Sequence, residues 1–365
     1  MSYSYKVSSG RIVNRSVAFI VLFFALGLVG TQANEGDGVR MFGQSFANMQ
    51  EYVESETFRN NGGRCGFDMA APRARAFGRE SLTQPQANPV GDCTASLTQI
   101  KNKYEFSNEI VIKIWFHVIQ RTNGTGAISD TRINDQMDAL NEDFLALSGT
   151  LGSNGYPTHI RFELAGITRT TNDEWYTDSV EDEEAYKQAL GKNQDKFLNV
   201  YSNDADGFLG YAYYPTGGTA GQWYDGVTIL SASVGGRNNG FSFYDQGRTL
   251  THEIGHYLGL IHTFGDTSTC GNSFSSGDLI VDTPAESTSY DNTNPACPST
   301  TSCGGTPAIA NYMNYNRDSC MDNFTSQQSN RMICSLLTYR PLLGNVIINS
   351  VDGTTITPIY DLLIE

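Results

Sequence analysis

The sequence predicts an α/β fold in which a sheet packs on helices. Residues 109–120 (EIVIKIWFHVIQ) alternate and are dense in β-branched and aromatic residues, a pattern that indicates a strand. Residues 131–147 repeat apolar side chains at helical spacing. Further strands and helices and a long apolar helix at residues 246–260 come next, and this order is typical of α/β proteins.

The first 33 residues have the pattern of a secretory signal peptide. Basic residues precede an apolar stretch from Val17 to Val29, and Thr31-Gln32-Ala33 supplies small residues for cleavage. The apolar stretch is short for a membrane span, so we expect export, with an uncleaved anchor as the alternative.

Residues 34 to about 95 differ from the remainder of the chain, being rich in Gly, Asn, Arg and Ala with weak periodicity. We interpret residues 34–79 as a propeptide whose end lies between residues 72 and 95. The run Pro72–Arg79 (PRARAFGR) has the character of an exposed basic linker.

The elements after residue 100 are predicted from periodicity and turn signals. Ser129 or Asp130 can cap the first long helix, whose apolar face carries Ile133, Met137, Leu140 and Phe144. Further strands are predicted at residues 160–168, 196–201 and 227–230, with an edge strand within 207–215. Further helices are predicted at residues 181–190, 246–260 and 326–339. Residues 341–365 form a tail without an interpretable signature.

One run of sequence, HEIGHYLGLIH, predicts a metal site. Histidines four apart lie on one helix face, so His252 and His256 can bind one ion. Gly259 can end the helix in a left-handed conformation, which lets the chain return His262 as a third ligand. Three protein ligands leave one position of a tetrahedral zinc ion open for water, the catalytic arrangement. Glu253 lies beside the first ligand and can act as general base on that water.

The histidines also have a plainer interpretation, since a single helical histidine is usually structural. Three of the five histidines fall in this one run, however, which favours the zinc site. His117, in a predicted core strand, and His159, in a loop, lack ligand spacing and are interpreted as structural.

The zinc motif and two later segments resemble the metzincin clan and, within it, the pappalysin family, most closely its ulilysin-like secreted members. The later segments are GDLIVDTPA (residues 277–285) and residues 311–320. The resemblance covers roughly residues 105–340. It implies a mixed, mostly five-stranded sheet with a long active-site helix and a smaller, loop-rich C-terminal subdomain. It also implies a catalytic domain at residues 80–340, divided near residue 262, and endopeptidase activity on proteins.

The resemblance gives roles to three residues of the second segment. Met313 corresponds to the Met-turn beneath the zinc site, where a thioether packs and is not a ligand. Tyr315 matches a family tyrosine near the metal that can donate to an oxyanion, with a buried structural tyrosine as the alternative. Asp318 matches the acid at the base of the S1′ pocket, which predicts cleavage before Arg and, less well, before Lys.

The resemblance also implies a calcium site in the loop after the zinc motif. Its ligands are Asp278, Asp282, Thr283 and the carbonyl of Ile280, hard oxygen donors of the kind that calcium prefers. Without the resemblance, these residues are ordinary turn formers.

Seven cysteines in an exported protein leave one outside the disulfides. Cys65, in Arg64-Cys65-Gly66, resembles the cysteine switch of metzincin zymogens, in which a thiolate takes the open zinc position. The family pattern suggests the disulfides Cys270–Cys303 and Cys297–Cys320, leaving Cys93–Cys334. Six cysteines allow fifteen connectivities, and a rival pairs Cys65 with Cys93 and leaves Cys334 outside a disulfide.

These features predict a secreted zinc endopeptidase, made as a latent zymogen, that cleaves proteins or peptides before Arg or Lys. Zinc is the catalytic cofactor and calcium a structural one. Arg73, Arg75 and Arg79 lie where such an enzyme could release its own propeptide. The edge strand at Tyr211–Tyr214 is a candidate rim for aligning an extended substrate.

Two other functions remain open, a catalytically silent binding protein on the same scaffold and a zinc hydrolase of non-protein substrates. The formal net charge of −15 disfavours nucleic acid as a partner, because a phosphate backbone is repelled. No stable membrane insertion is expected once the signal peptide is removed.

Overall fold

The structure is a computed structural model that describes residues 38–66, 108–177, 180–215, 219–236, 239–265, 270–274, 276–287, 297, 300–350 and 353–358. The predicted signal peptide, the linker at residues 72–79 and Cys93 lie outside the described residues. In the described part of the chain, no helix has the length and apolar character needed to cross a membrane.

Two small strands and two short helices come first: β1 (Val39–Met41), β2 (Gln44–Phe46), α1 (Met49–Glu54) and α2 (Glu56–Asn60). The later strands are β3 (Glu109–Gln120), β4 (Ile160–Thr171), β5 (Leu198–Asn203), β6 (Gly210–Ala212), β7 (Val227–Leu230), β8 (Gly344–Ser350) and β9 (Gly353–Pro358). The later helices are α3 (Asp130–Phe144), α4 (Asp173–Tyr176), α5 (Val180–Leu190), α6 (Arg248–Tyr257) and α7 (Ser326–Tyr339).

The central sheet has β3 in its middle. Strands β4, β3, β5 and β7 are parallel neighbours in that order, and β6 pairs antiparallel with β7 at the edge. The core strand β3 has most of its side chains buried, as its apolar sequence requires. The predicted mixed α/β fold is confirmed.

The sheet contains two strands that were not predicted, β8 and β9 from the C-terminal tail. The start of β3 pairs antiparallel with β8, from Glu109 opposite Ile347 to Ile112 opposite Gly344, and β9 pairs with β8. The sequence does carry a hairpin signal here, because Asp352-Gly353 lies between two runs of β-branched residues. The tail therefore extends the sheet.

Helix α3 shows how local sequence sets an element. Its N-terminus is capped by Ser129, not Asp130, because the Ser129 side chain accepts from the Arg132 backbone N–H. The four predicted apolar residues are all buried in the main core. The helix ends at Phe144, before the expected Leu147, since Ala146 adopts a left-handed φ of 48°.

Residues 38–66, in the predicted propeptide, form local structure and pack on the rest of the chain. Asn48 and Ser55 cap α1 and α2 through their side chains. Tyr52 and Phe58 are buried in a cluster that also contains Tyr244. Helices of 6 and 5 residues are too short to show periodicity, which is why the sequence indicated no elements here.

Candidate active site

Helix α6 carries the first half of the predicted zinc motif and is buried along its whole length. It starts after Gly247, whose φ is 82°. The first turn is capped from a distant loop, because the Asp318 carboxylate (Oδ2) accepts from the backbone N–H groups of Gln246 (2.9 Å) and Arg248 (3.2 Å). The helix is therefore shorter than the predicted 246–260 but contains His252, Glu253 and His256.

Gly259 reverses the chain after the helix, as predicted. Its φ is +99°, and a Cβ there would lie 2.6 Å from the Ser335 hydroxyl oxygen. Its carbonyl accepts from the Tyr214 hydroxyl (2.9 Å) and from Arg331 Nε (2.7 Å), which fixes the turn. The turn returns His262 to the first two histidines.

The three histidines converge through their Nε2 atoms. Nε2 of His256 lies 3.1 Å from that of His252 and 3.0 Å from that of His262. Nδ1 of His252 donates to the Tyr312 carbonyl (2.6 Å), and Nδ1 of His256 donates to the Leu260 carbonyl (2.8 Å). The Nε2 atoms of these two rings then carry lone pairs that would repel without a cation between them. The residues fit a zinc ion.

Burial keeps these rings in the form that binds metal. It lowers the pKa of His252 well below its usual value, and it lowers the pKa of His262 to about 3. Cys65 completes the group, since its sulfur and the three histidine nitrogens lie within 4.8 Å of one another. All four residues predicted to bind zinc in the latent form are therefore together.

Glu253 lies next to this cluster and is fully buried. Its Oε2 is 3.5 Å from the Cys65 sulfur, and its Oε1 has no hydrogen-bond partner among the described residues. Burial raises the pKa of the Glu253 carboxyl to about 8, while Cys65 and Arg64 lower it. A metal cation at the histidines would lower this pKa further, towards the range of an effective general base.

The segment 311–315 forms the floor and one wall of the cluster. Met313 is fully buried, and a Cβ built on Gly255 would lie 2.4 Å from its sulfur, so the thioether packs under α6. The Tyr315 ring stands edge-on to His262 at 4.6 Å between centroids and 5.9 Å from His252. Both residues are where the resemblance implied.

Two buried carboxylates that sequence reasoning missed hold these segments together. Asp143 accepts from the Thr251 hydroxyl of α6 (2.7 Å) and from the Tyr312 hydroxyl (2.9 Å). Glu286 accepts from the Thr263 hydroxyl (3.0 Å) and from the Asn314 amide (2.9 and 3.0 Å). No local pattern marks either residue, because the partners of Asp143 are more than a hundred residues away and those of Glu286 more than twenty.

Asp318, the predicted pocket acid, faces an arginine of the chain itself. Its Oδ1 lies 3.9 Å from Nη2 of Arg64, and both side chains are buried. Nη1 of Arg64 donates to the Thr249 hydroxyl (3.2 Å), and the guanidinium lies 4.8 Å from the centre of the Tyr244 ring. Burial raises the pKa of Asp318, and Arg64 opposes that rise.

The residues expected to bind calcium hydrogen-bond to two different parts of the chain, their own loop and the start of α7. Asp278 is buried and accepts from the Ile280 N–H (3.1 Å) and the Thr283 hydroxyl (2.6 Å). Asp282 accepts instead from Thr325 (2.7 Å) at the start of α7. Among the described residues, one group of three or more His, Cys, Asp or Glu side chains could hold a metal ion, and it is the histidine–Cys65 cluster. Calcium stays a prediction.

Two disulfides have both of their cysteines among the described residues, Cys270–Cys303 and Cys297–Cys320. They are the pairs that the resemblance implied. Cys334 is also disulfide-bonded, and Cys65 is a buried thiol outside any disulfide. The rival pairing of Cys65 with Cys93 is therefore wrong, because it would consume the thiol that lies at the histidines. Cys93, the expected partner of Cys334, lies outside the described residues.

The other two histidines have the structural roles expected of them. His117 on β3 is buried and contacts the Thr168 hydroxyl (2.7 Å) and the Asn199 amide oxygen (3.0 Å). Burial lowers its pKa to about 4. His159 lies in a loop with a φ of 60°, apart from the cluster.

We expect Gly255→Ala to destabilise the protein. The new methyl group would press on the buried Met313 sulfur at 2.4 Å, and overpacking costs about 1–3 kcal/mol, whereas alanine regains only about 0.8–1 kcal/mol of helix preference. A lower midpoint of urea unfolding is the expected result. Gly305→Ala, where a Cβ would meet nothing within 4 Å, is the matched control. Equal midpoints for the two variants would contradict the close packing of Met313 under α6.

Comparisons with known proteins agree with this geometry. Residues 179–337 match the family profile described as pregnancy-associated plasma protein-A, peptidase M43. The chain is 35% identical over 272 residues to extracellular metalloprotease 1 of Coccidioides posadasii, covering 72% of this chain and 90% of that protein. It is 39% identical over 241 residues to an extracellular metalloprotease of Colletotrichum graminicola, covering 63% and 78%.

Solved structures show the same fold. Mature mirolysin of Tannerella forsythia, in complex with a cleaved peptide, matches with a TM-score of 0.53 and 35% identity over 62% of this chain and 91% of that one. A mutant of promirolysin from the same organism matches with a TM-score of 0.58 and 29% identity, over 76% of this chain and 95% of that one. By sequence, fold and the histidine cluster, the chain belongs to the pappalysin family, peptidase family M43, and is an extracellular metalloprotease.

Proposed function

We propose that this protein is a zinc endopeptidase that cleaves proteins before arginine, and before lysine less well, and that it is made as a latent zymogen. The observation that carries the proposal is the convergence of the three histidine Nε2 atoms beside the buried Glu253 carboxylate. The mirolysin relative, whose structure holds a cleaved peptide, supports a peptide substrate.

The residues around the cluster have separate parts in the proposed reaction. His252, His256 and His262 would hold a zinc ion, which would supply a Lewis acid for the scissile carbonyl and for the attacking water. Glu253 accepts the proton of that water at its carboxylate and passes it to the leaving amine. Tyr315, beside His262, donates a hydrogen bond from its hydroxyl to the oxygen on which negative charge develops.

Strand β6 is the proposed rim for the substrate, because it is an edge strand next to the catalytic carboxylate. A Cβ on Gly210 would lie 2.8 Å from Cγ of Glu253. Tyr211 and Tyr213 are buried, so the backbone of β6 and not these rings is what an extended peptide would contact. The Tyr214 hydroxyl is engaged at the Gly259 turn.

The propeptide occupies this rim in the latent form. Gly66 donates to the Gly210 carbonyl (2.8 Å), and Leu209 donates to the Gly63 carbonyl (2.8 Å). Gly66 comes after Gly63 in one segment, and its partner Gly210 comes after Leu209, the partner of Gly63, in the other. Segments paired in this order are parallel. Residues 63–66 therefore run parallel to β6.

This direction is opposite to the one that a substrate needs. In a substrate, the pocket-filling P1′ residue comes after the carbonyl that reacts. In the propeptide, Arg64 enters the pocket of Asp318 and precedes Cys65, whose sulfur lies at the histidines. A substrate with its P1′ arginine in this pocket would consequently run antiparallel to β6. The reversed chain direction and the Cys65 thiol at the histidines together explain how residues 63–66 can block the site without being cleaved.

Cys65→Ala tests the latency. The unprocessed chain should gain peptidase activity by at least about tenfold, which corresponds to roughly 1.4 kcal/mol of lost inhibitory binding. A gel run beside each assay must show the chain at full length, so that processing does not explain the gain. Full latency of the unprocessed variant would contradict the switch.

The activity itself is tested with activated protein on casein and on a mixed peptide library. Cleavage should stop with a zinc chelator, return with added zinc, and map to bonds before Arg and, less often, Lys. A protein that leaves casein and every peptide intact after zinc loading would support the silent binding protein or the non-protein hydrolase instead. Equal cleavage before neutral residues would contradict the role of Asp318.

A further inference from the structure

We infer that the pocket recognises the planar shape of a guanidinium as well as its charge, and that Tyr244 and Thr249 are the residues that separate arginine from lysine. This inference rests on the proposed cleavage before arginine. Arg64 is its internal ligand, since it occupies the pocket that the proposal gives to the P1′ side chain.

The contacts of Arg64 show that the charge pair is not its closest interaction. The hydrogen bond to the Thr249 hydroxyl measures 3.2 Å, whereas the nearest approach to the Asp318 carboxylate is 3.9 Å. The Tyr244 ring faces the guanidinium at 4.8 Å, within the range of a cation–π contact. Nη2 also lies 3.7 Å from the Met321 sulfur. The guanidinium is therefore contacted by the Tyr244 ring on its flat face, by the Thr249 hydroxyl at Nη1 and by the Asp318 carboxylate at Nη2.

Both selecting residues are buried next to backbone that also positions the site. Thr249 is buried in the first turn of α6, three residues before His252, so its hydroxyl is set by the same helix as the metal ligands. Tyr244 is buried too, and the Phe243 carbonyl beside it accepts from the backbone N–H of Asp318 (2.9 Å). The aromatic wall and the acidic base of the pocket are thus connected through the backbone.

A lysine cannot make the same set of contacts. Its ammonium is a compact, strongly hydrated charge, so it presents no flat face to Tyr244 and no second nitrogen to Thr249 while it approaches Asp318. The buried Asp318 Oδ1, which has no hydrogen-bond partner among the described residues, accounts for attraction to either cation. The ring and the hydroxyl account for the difference between them.

The test uses activated protein and three peptides that differ only at P1′, which is arginine, lysine or the neutral arginine isostere citrulline. Tyr244→Leu should lower the ratio of kcat/KM for arginine over lysine by about three- to tenfold, as expected for a lost cation–π contact. Thr249→Val should lower that ratio by a similar, roughly three- to tenfold, factor through the lost hydrogen bond. Tyr244→Phe, which keeps the ring, should keep the wild-type ratio.

Unchanged arginine-to-lysine ratios in Tyr244→Leu and Thr249→Val would overturn the inference. Zinc content and thermal midpoint report whether each variant is folded. A wild-type enzyme that cleaves the citrulline and arginine peptides equally would instead overturn the proposed role of Asp318, so the two failures differ.

The full-length chain gives a second measurement that does not depend on activity. If the pocket selects guanidinium, Arg64→Lys should loosen the propeptide, and Cys65 should react with iodoacetamide about three- to tenfold faster than in the wild type. The same Arg64→Lys change in a Tyr244→Leu background should raise the alkylation rate of Cys65 much less, because the ring that distinguishes arginine from lysine is gone. Equal alkylation rates in wild type and Arg64→Lys would contradict recognition of the guanidinium.

Discussion

Glu253→Gln is expected to lower kcat/KM of the activated protein by about 10²- to 10⁴-fold, the range for removing a general base. Glutamine keeps the size of the side chain but cannot take a proton from water. The metal-ligand group beside Glu253 in the described part of the chain consists of the three histidines and Cys65 and contains no second carboxylate. Cleavage of an arginine-containing fluorogenic peptide, measured with equal zinc content in both proteins, checks this expectation.

The exposed Glu174→Gln on α4 is the matched control and should keep full activity. The same pair of variants tests self-activation. If the protein releases its own propeptide, the wild-type chain should begin with Arg73, Arg75 or Arg79 after activation, and purified Glu253→Gln should stay at full length. A mature N-terminus elsewhere, or processing of the variant on its own, would indicate a different protease.

Asp318→Asn should lower kcat/KM for peptides with arginine at P1′ by roughly 30-fold or more, equivalent to about 2 kcal/mol for a lost partner of a buried charge pair. The asparagine oxygen can still accept from the backbone of Gln246 and Arg248, so the start of α6 stays capped. The variant therefore removes the charge and leaves the active-site helix in place. Paired peptides with arginine and citrulline at P1′ provide the measurement.

The citrulline peptide is the internal control for Asp318→Asn. Its cleavage should change much less than that of the arginine peptide, so that the two rates approach each other. A parallel loss on both peptides would instead indicate damage to α6, and no loss on either would contradict the pocket. Circular dichroism and zinc content separate a misfolded variant from a specific one.

The histidine cluster was predictable because its determinants are local. His252 and His256 are one helical turn apart, Glu253 adjoins the first of them, and Gly259 has the positive φ that the turn needs. The spacing of residues on a helix and the backbone freedom of a glycine can both be identified in a short stretch of sequence. The strands β3 and β7 and the helix α7 were predicted with their observed limits for the same reason.

The resemblance to the pappalysin family supplied what spacing could not. Met313 and Tyr315 are more than fifty residues beyond His262, and no period of helix or strand connects them to the zinc motif. Knowledge of the family related them to the metal, and the packing of Met313 against Gly255 gives the physical basis. Asp278 and Asp282 accept hydrogen bonds from other groups of the chain, and their role as calcium ligands stays a prediction.

A helix with metal-ligand spacing, a mixed α/β scaffold and an odd number of cysteines were all deducible from the sequence, and Glu253 was its candidate base. The packing of the whole chain was needed to show that Arg64 faces the Asp318 carboxylate, that Asp143 and Glu286 hold the segments around the histidines, and that the tail extends the sheet. The physical reason is the separation of the partners. Arg64 and Thr249 are 185 residues apart, and contacts over such distances depend on how the whole core packs, which no local pattern encodes.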